Sequence, residues 1–354
     1  MKEEIDRYSN FKLVYNRAPE DANAKLSDFQ VVNMIGKGSI SNVYLVRRKS
    51  DDRPFAMKCI QKELILDDDL FKSTKLEKEI LIRSENPFFI NLHYSFQSET
   101  KIIFLLDFVR GGDLFMHLSV LQYFSEDRVK FFAAQLVLAL GYLHTKQNVV
   151  YRDLKLENIL MRENGYLVLV DFGISKQLDK RERTYSIRGT PDYLAPEMLK
   201  KSGYSFQVDW WALGTIIYEM LYGQAPFYHD DESEMYVKIV KSKLSFPTDI
   251  EISPDCKDLI ERLLMKDPKK RLGSDPQQDY LEVIAHPFFK DVDIQSLQTM
   301  DIEAPYRPPL SDDVFDVSNF EQEWTERTSF QDARESVSKA ELIRRQGGSM
   351  FKKL

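Results

Sequence analysis

Short hydrophobic runs and turn-forming residues alternate over the first third of the chain. Between 29 and 108, segments rich in β-branched and aromatic residues are separated by glycine, proline and aspartate, which predicts a small antiparallel sheet. The stretch 72–84 differs, because Leu76, Ile80 and Leu81 fall on one helical face opposite charged residues. The pattern therefore predicts a sheet region with one main helix.

Longer helical patterns follow from Asp113 onward. The stretch 125–147 predicts a helix with Ser125 as its N-cap. The stretch 208–223 is almost wholly apolar, which in a globular protein indicates a helix buried on all sides. After Phe289 the sequence combines prolines, acidic residues and scattered aromatic residues without periodicity. These patterns predict an α+β protein whose second region is helical and whose C-terminal tail is extended.

Composition narrows the functional classes. The 354 residues are 43% apolar, enough for a substantial core, and carry a net charge of −7. That charge argues against nucleic acid as a partner, because phosphate-binding surfaces are usually dense in basic residues. Cys59 and Cys256 lie in unrelated contexts, which favours a reducing compartment over a disulfide framework or a zinc site. No apolar stretch is long enough to span a membrane, so we expect a cytoplasmic location, with the nucleus left open.

A glycine-rich stretch, GKGSIS at 36–41, lies between two predicted strands. This context excludes the P-loop and the Rossmann fingerprint, both of which lead from a strand into a helix. Gly36 and Gly38 would let the backbone approach phosphate oxygens, although a hairpin turn with two glycines explains the stretch equally well. Ser41 stands where a third glycine would be expected.

Lys58 lies within an apolar strand pattern, where its ammonium group must either reach solvent from an edge strand or meet a negative partner. Glu77 on the predicted helix is a suitable partner. A surface salt bridge is the more common explanation of a single Lys–Glu pair, so the functional interpretation depends on other motifs.

Three polar residues fall within six positions of a short loop, Asp153, Lys155 and Asn158, and Asp171 follows a short apolar segment. Packing alone does not explain such a set, because polar side chains between apolar runs need mutual partners or a ligand. Phosphoryl transfer requires these residue types: oxygen ligands for magnesium, a carboxylate that accepts a hydroxyl proton, and a lysine for the transferred charge.

The motifs GKGSIS, YRDLKLEN, DFG, GTPDYLAPE and DWWALG occur in the order and spacing of one family. With them, the chain resembles the eukaryotic protein kinases over 29–289. It is similar to the AGC group, and there to protein kinase B and the serum- and glucocorticoid-regulated kinases, with protein kinase A close by. Tyr151 before Arg152 and the tail sequence SNFEQEW carry this finer resemblance.

The resemblance implies a bilobal protein kinase fold, with a small antiparallel-sheet N-lobe, a larger helical C-lobe and an extended tail. It divides the chain into an N-terminal extension at 1–28, a kinase domain at 29–289 with lobes at 29–108 and 109–289, and an AGC-type tail at 290–354.

The resemblance also implies ATP and Mg²⁺ as cofactors and assigns catalytic roles. Asp153 is the expected catalytic base and Lys155 is expected to steady the γ-phosphate. Lys58, paired with Glu77, is expected to hold the α and β phosphates. The expected magnesium ligands are Asn158 and Asp171. The expected nucleotide-binding residues are Ile35, Gly36, Lys37, Gly38, Ser39, Ile40, Ser41, Val43, Ala56, Lys58, Leu106, Asp107, Val109, Asp113, Glu157, Leu160 and Phe320.

Among these, Leu106 is the expected gatekeeper, with ordinary strand core as the alternative, and backbone groups of Asp107 and Val109 are expected to contact adenine. Phe320 is expected to pack at the adenine end of the site. Ser41 in place of the usual glycine is expected to stiffen the loop and alter nucleotide affinity or turnover.

Three further residues are expected to serve the fold. Glu197 should pair with Arg271 as a buried ion pair, and Asp209 should anchor the loop that contains Asp153.

Substrate choice is expected to depend on an acidic cluster of Asp113, Glu157 and Glu219. Carboxylates there would select arginine two, three or five residues before the acceptor through bidentate pairing. Solvated surface acids are the alternative for Asp113, but not for Glu219, which lies within an apolar helix. The expected pocket for the residue after the acceptor is formed by Ile187, Pro191 and Leu194. Thr190 in GTPDY marks a serine/threonine kinase.

Ser186 occupies the activation-loop position at which phosphate would pair with Arg152 and Lys176. The sequence leaves open whether an upstream kinase or the enzyme itself phosphorylates it. The tail has no F-x-x-F-[S/T]-[F/Y] motif after 324. The resemblance implies that this motif normally fills the groove beside the helix of Glu77. We therefore expect the groove to be empty, filled by Phe351, or filled by another chain.

The sequence thus predicts a monomeric serine/threonine protein kinase that acts on protein substrates with basic residues before the acceptor. A nucleotide-binding pseudokinase that serves as a scaffold is the alternative. The complete set of expected catalytic residues favours the active enzyme.

Overall fold

The computed structural model describes residues 24–179, 182–325 and 351. They form two compact units. One unit contains the described parts of Tyr15–Ser84, Ile90–Gly112 and Pro309–Leu354, and the other contains Glu85–Phe89 and the described part of Asp113–Pro308. The expectations for 1–23 and for most of the tail beyond 325 lie outside the described residues.

The first unit is built on a five-stranded antiparallel sheet with the order β1-β2-β3-β5-β4. Its strands are β1 (Phe29–Lys37), β2 (Ser41–Arg48), β3 (Pro54–Gln61), β4 (Leu92–Gln97) and β5 (Lys101–Asp107), and its main helix is α1 (Asp68–Arg83). The predicted antiparallel sheet with one main helix is confirmed.

Helix α1 begins before the predicted start at 72. The Asp67 carboxylate accepts hydrogen bonds from the backbone nitrogens of Asp69 at 3.0 Å and Leu70 at 3.2 Å. It therefore caps the first turn, whose N–H groups have no acceptor within the helix. An acidic side chain is also favourable at the positive end of the helix dipole. The local capping residue therefore sets the start of the helix, ahead of the amphipathic pattern.

Aromatic packing fills one face of this sheet. The Phe29 ring lies 5.7 Å from Phe55 and 5.5 Å from Tyr94, and Tyr94 stacks on Phe96 at 6.1 Å. Such rings contribute large apolar areas, and their edge-to-face contacts add to the area term. The buried cluster supports β3, whose inner residues are almost fully covered.

The second unit is mainly helical. Its helices and short strands are α2 (Leu114–Leu121), α3 (Glu126–Tyr142), β6 (Val149–Val150), β7 (Ile159–Met161), β8 (Leu167–Leu169), β9 (Lys176–Gln177), α4 (Pro196–Leu199), α5 (Gln207–Tyr222), α6 (Glu232–Lys241), α7 (Pro254–Leu263), α8 (Tyr280–Ile284) and α9 (Ile294–Gln298). Single helical turns occur at Leu143–Gln147, Leu156–Asn158, Pro191–Tyr193 and Pro287–Phe289. Two-stranded pairings join β6 to β9 and β7 to β8.

Two helix predictions are confirmed in this unit, and the predicted N-cap residue of one of them lies at the N-cap position. Helix α5 is buried over most of its length and ends at Gly223, whose φ is +77°. Helix α3 is followed by a π-helical turn that ends at Asn148. Ser125 occupies the N-cap position of α3, but its side chain forms no capping hydrogen bond. The residue type favoured a cap, and the local side-chain geometry decided against it.

The tail up to Pro308 belongs to the helical unit. From Pro309 it belongs to the sheet unit, where a short helix, α10 (Gln322–Thr325), follows. Arg110 donates hydrogen bonds to the carbonyl oxygens of Ser311 at 2.5 Å and Asp313 at 2.8 Å. Gly112 has a φ of +71°, and a Cβ atom there would lie 2.1 Å from the carbonyl oxygen of Asn319. Position 112 therefore requires glycine, because the tail at Asn319 passes directly over it.

Within the described part of the chain, no helix combines the length and apolar character needed to cross a bilayer.

Candidate active site

Lys58 and Glu77 form a buried ion pair in the sheet unit. The Lys58 Nζ lies 2.6 Å from Glu77 Oε1, and the side chains are only 8% and 2% exposed. Lys58 lies on β3, an inner strand of the sheet, so the edge-strand interpretation is wrong. Because charges of this kind are rarely buried without a partner, the predicted pairing explains how the ammonium group is kept inside.

The glycine-rich stretch connects β1 to β2 as a hairpin. The Gly38 backbone nitrogen donates to the Ser41 carbonyl oxygen at 2.7 Å, which closes the turn. Ser41 is the first residue of β2, is 7% exposed, and does not have a positive φ. The backbone at this position therefore does not require glycine, and serine fits without strain.

Residues expected to bind the nucleotide occupy neighbouring register positions of the sheet. Val43 on β2 is opposite Lys58 on β3, and Ala56 on β3 is opposite Leu106 on β5. Leu106 is 8% exposed, and Val109 follows the strand as another buried residue. The sheet thus brings together the expected gatekeeper and the residues beside the lysine.

The Asp107 side chain is fixed by two residues that the sequence did not single out. Its carboxylate oxygens lie 2.6 Å from His93 Nε2 and 2.7 Å from Asn91 Nδ2, which donates a hydrogen bond. Both partners lie at or just before β4. Because both partners are separated from Asp107 by 14 or more positions, no local sequence pattern indicated these contacts. The contacts hold in place the backbone that is expected to meet adenine.

Phe320 of the tail stacks on Phe108, with ring centroids 5.5 Å apart. The structure therefore places Phe320 next to the segment that follows Asp107, and its packing at the adenine end of the site stays a prediction.

The catalytic-loop candidates are in contact in the helical unit. Asn158 Nδ2 donates to both the carbonyl oxygen and Oδ2 of Asp153, at 2.9 Å each. Thr190 Oγ1 donates to Asp153 Oδ1 at 3.4 Å, and the Lys155 Nζ lies 3.9 Å from Asp153 Oδ2. Burial raises the pKa of Asp153, Lys155 lowers it, and the nearby charge of Asp171 raises it further. The arrangement suits a carboxylate that accepts a proton.

The donor set also fits magnesium. Asp171, just after β8, has a φ of +55° and accepts a hydrogen bond from the Gly173 nitrogen at 3.0 Å. Because the Asn158 amide nitrogen donates to Asp153, the amide oxygen is the atom that can bind a cation. Among the described residues, no three His, Cys, Asp or Glu side chains are grouped as a metal site. Two oxygen ligands are nevertheless typical of Mg²⁺, which takes its other ligands from phosphates and water.

Asp209 on α5 holds the start of the loop, as expected. Its Oδ2 accepts from the Tyr151 nitrogen at 2.8 Å, and its Oδ1 from the Arg152 nitrogen at 2.9 Å. Glu197 and Arg271 form the expected bidentate pair, with N–O distances of 2.6 and 2.9 Å. These buried contacts fix the framework around the loop.

Comparison with known proteins agrees with this geometry. The model of the protein kinase domain matches residues 29–289, which is most of the chain. The chain belongs to the protein kinase family.

Relatives place this kinase in the AGC group. It is 45% identical to the RAC family serine/threonine-protein kinase homolog of Dictyostelium discoideum, over 80% of this chain and 62% of that protein. It is 43% identical to the serine/threonine-protein kinase sgk-1 of Caenorhabditis elegans, over 87% of this chain and 65% of that protein. It is 42% identical to the serine/threonine-protein kinase Sgk1 of Xenopus tropicalis, over 86% of this chain and 72% of that protein. The chain thus spans about two thirds of the length of these curated relatives.

Of the acidic residues expected to select substrates, Glu219 has the most unusual environment in this kinase. The Tyr193 hydroxyl donates to its Oε2 at 2.7 Å. Burial raises the pKa of Glu219 to about 7, with further increases from Glu157 and Asp192 and a decrease from the Tyr193 bond. The charge of Glu157 therefore acts on Glu219, which brings two of the predicted acids together.

Asp113 also has a local role in the fold, because its Oδ1 caps α2 through the Met116 nitrogen at 2.9 Å. In the predicted apolar pocket, Leu194 is 3% exposed and Ile187 is 44% exposed. Pro191 is partly buried, so Ile187 is the most exposed of the three.

Ser186 already faces the kinase's expected phosphate-binding arginine. Arg152 Nη1 donates to Ser186 Oγ at 3.2 Å, and the Tyr204 hydroxyl donates to the Ser186 carbonyl oxygen at 2.8 Å. Lys176 instead contacts Thr184 Oγ1 at 3.3 Å. A phosphate on Ser186 would therefore meet Arg152 without a large movement of either residue.

Phe351 packs against α1 of the kinase. Its ring lies 5.6 Å from that of Phe71, the Lys62 Nζ lies 4.9 Å from the ring centre, and the residue is 4% exposed. Of the three alternatives for this surface, the structure therefore has Phe351 as the occupant.

Proposed function

We propose that this chain is an active serine/threonine protein kinase that transfers the γ-phosphate of ATP to protein substrates. The observation that carries the proposal is the environment of Asp153, which combines hydrogen bonds from Asn158 and Thr190 with a nearby lysine. The serine/threonine-protein kinase names of the relatives support the same acceptor class.

In this proposal Asp153 orients the substrate hydroxyl and accepts its proton. The hydroxyl oxygen forms the new bond to the γ-phosphorus while the bond to ADP breaks. Lys58, held by Glu77, pairs with the α and β phosphates, and Lys155 stabilises the charge on the transferred group. Asn158 and Asp171 are the residues that would hold Mg²⁺, which neutralises phosphate charge when bound.

The proposed substrates carry arginine before the acceptor residue. Glu157 and Glu219 would pair with the guanidinium groups, since planar bidentate pairing favours arginine over lysine. Asp113 is a third proposed contact, and Ile187, Pro191 and Leu194 receive the residue after the acceptor. We propose that the enzyme acts as a monomer in the cytoplasm, without nucleic-acid partners.

The test is incorporation of labelled phosphate into an R-x-R-x-x-S-φ peptide. Asp153→Asn preserves the shape of the side chain but removes its basicity, so it should lose nearly all transfer. Asp291→Asn, at an exposed position in the same unit, is the charge-matched control and should keep wild-type activity. Absence of transfer by Ser186-phosphorylated wild type, with ATP binding retained, would instead favour the pseudokinase scaffold.

The enzyme is also proposed to be activated by phosphate on Ser186, through the existing contact with Arg152. Arg183 stands three residues before Ser186, in agreement with the proposed substrate preference; Arg181 lies outside the described residues. Self-phosphorylation therefore competes with an upstream kinase as the source. Mass spectrometry of wild type and Asp171→Ala from bacteria distinguishes the two, because only self-phosphorylation depends on Asp171.

A further inference from the structure

A fully buried histidine lies between two carboxylates in the helical unit. His144 Nε2 is 2.8 Å from Asp209 Oδ2, and its Nδ1 is 3.1 Å from Asp279 Oδ1. The His144 side chain is 0% exposed, and those of Asp209 and Asp279 are 1% and 6% exposed. Asp209 is part of the proposed catalytic framework, whereas nothing so far gives Asp279 a role.

The fold brings Asp279 to this position through a close helix contact. Gly141, near the end of α3, lies against Tyr280, and a Cβ atom at 141 would be 2.2 Å from the Tyr280 ring. The missing side chain lets the start of α8 approach α3. Asp279, just before Tyr280, has a φ of +39°, a region in which non-glycine residues are rare. The cost of that conformation indicates that the surrounding structure holds Asp279 in place.

The carboxylates determine the charge of His144. An imidazole can donate from both ring nitrogens only when it is protonated. Burial alone would lower the pKa of His144, but the two carboxylates outweigh it and raise the pKa to about 9. The rings of Phe206 and Trp210 also pack against His144 and carry no charge, and the charged groups that act on it are Asp209 and Asp279. Near neutral pH, His144 is therefore a buried imidazolium.

This charge state matters to the loop that carries Asp153. With Nε2 protonated, His144 donates to the same Asp209 oxygen that accepts from the Tyr151 nitrogen. The next residue, Arg152, has a φ of +68°, so the backbone is held in an unfavourable conformation where it meets Asp209. If His144 lost a proton, its bond to Asp209 would lose the positive charge of the donor, or would be lost altogether if Nε2 were the deprotonated nitrogen.

We propose that Asp279 is a positioning residue for catalysis, acting through His144 and Asp209 on the loop that contains Asp153. The proposal rests on the proposed catalytic role of Asp153. Asp279 touches neither substrate nor nucleotide in this scheme; it keeps His144 a donor on both sides. The contribution is present below the raised pKa of His144 and is lost as pH rises through about 9.

The test combines kinetics with NMR of the full chain labelled with ¹⁵N-histidine. The chain has five histidines, and the signal absent from His144→Gln identifies His144. In wild type near neutral pH, both His144 ring nitrogens should be protonated. Asp279→Asn keeps a polar side chain of similar shape but lacks the charge, so His144 should become neutral and its bond to Asp209 should lose the charge of the donor. The kcat should fall about tenfold, with a much smaller change in the KM for ATP, and its alkaline limb should move to lower pH.

Two variants serve as controls. Asp279→Glu retains the charge and should recover part of the lost kcat. Asp258→Asn removes a carboxylate from another histidine, His286, at 2.9 Å, and should leave kcat at the wild-type value.

A singly protonated His144 in wild type overturns the proposal. So does a wild-type kcat and pH profile in Asp279→Asn, even if its thermal stability is lower, since a purely structural role predicts that result. If Asp279→Asn does not fold, wild type still decides: the alkaline limb of kcat must coincide with loss of the His144 proton. Asp153→Asn separates the two proposals, because it should abolish transfer while leaving the His144 signals unchanged.

Discussion

The hydrogen bond between Tyr193 and Glu219 gives a quantitative prediction about substrate recognition. The Tyr193 hydroxyl donates to Glu219 Oε2 at 2.7 Å, and this bond favours the charged carboxylate against the effect of burial. Tyr193→Phe removes the donor and leaves the ring. Hydrogen bonds to charged groups contribute about 1.5–3 kcal/mol. That range corresponds to about 1–2 pKa units, so the pKa of Glu219 should rise from about 7 to about 8–9.

The consequence is a loss of negative charge where arginine is proposed to bind. Near pH 7 about half of the wild-type Glu219 is charged, against about a tenth or less in the variant. The kcat/KM for an arginine-containing peptide, which reports the free enzyme, should therefore fall about fivefold or more near pH 7. The difference should diminish above pH 9, where Glu219 is charged in both proteins.

The assay measures kcat/KM between about pH 6 and 9 for a peptide series in which each arginine before the acceptor is replaced by alanine in turn. For the peptide that lacks the arginine bound by Glu219, kcat/KM should be the same in wild type and in Tyr193→Phe. Tyr218→Phe removes a hydroxyl from α5, the helix of Glu219. That hydroxyl donates to the Ser245 carbonyl oxygen, so this variant should leave the pH profile unchanged. Equal losses for all peptides, or a loss independent of pH, would refute the reasoning.

Three further predictions concern stability and nucleotide use. Glu197→Gln leaves the buried Arg271 guanidinium without its counter-charge, so urea denaturation should show a loss of about 3–5 kcal/mol; a loss below about 1 kcal/mol would contradict the pairing. Phe351→Ala removes a ring that is 4% exposed against Phe71, and should lower both the thermal midpoint and kcat, with an unchanged midpoint as the contrary result. Ser41→Gly should change the KM for ATP or kcat through a more mobile loop, whereas identical constants would show that serine is neutral there.

Much of the fold followed from local sequence. Alternating β-branched and aromatic residues predicted all five strands of the first sheet, because each strand buries one face or both. The almost wholly apolar stretch 208–223 predicted the buried helix α5 for the same reason. Capping was predicted less well: Asp67 caps α1 ahead of the expected start, and Ser125 lies at the predicted N-cap position of α3 but forms no capping hydrogen bond through its side chain.

The chemistry of the candidate site was equally readable, because its motifs are short. Asp153, Lys155 and Asn158 fall within one loop, so their contacts depend on a few neighbouring dihedral angles. The pairing of Lys58 with Glu77 was also predicted, as one of two alternatives, since a lysine in an apolar strand must either reach solvent or meet an acid.

Tertiary structure alone decided other contacts between residues that are not neighbours in the chain. Asp279 reaches His144 across 135 positions, and His93 reaches Asp107 across 14, with no local pattern to indicate either. These contacts depend on how helices and strands pack, as at Gly141, where the absence of a side chain admits Tyr280. The sequence by itself determined which residues can do the chemistry, because reactivity belongs to residue types in short motifs. Only the tertiary structure determined their charge states, because burial and distant partners set the pKa values of His144 and Glu219.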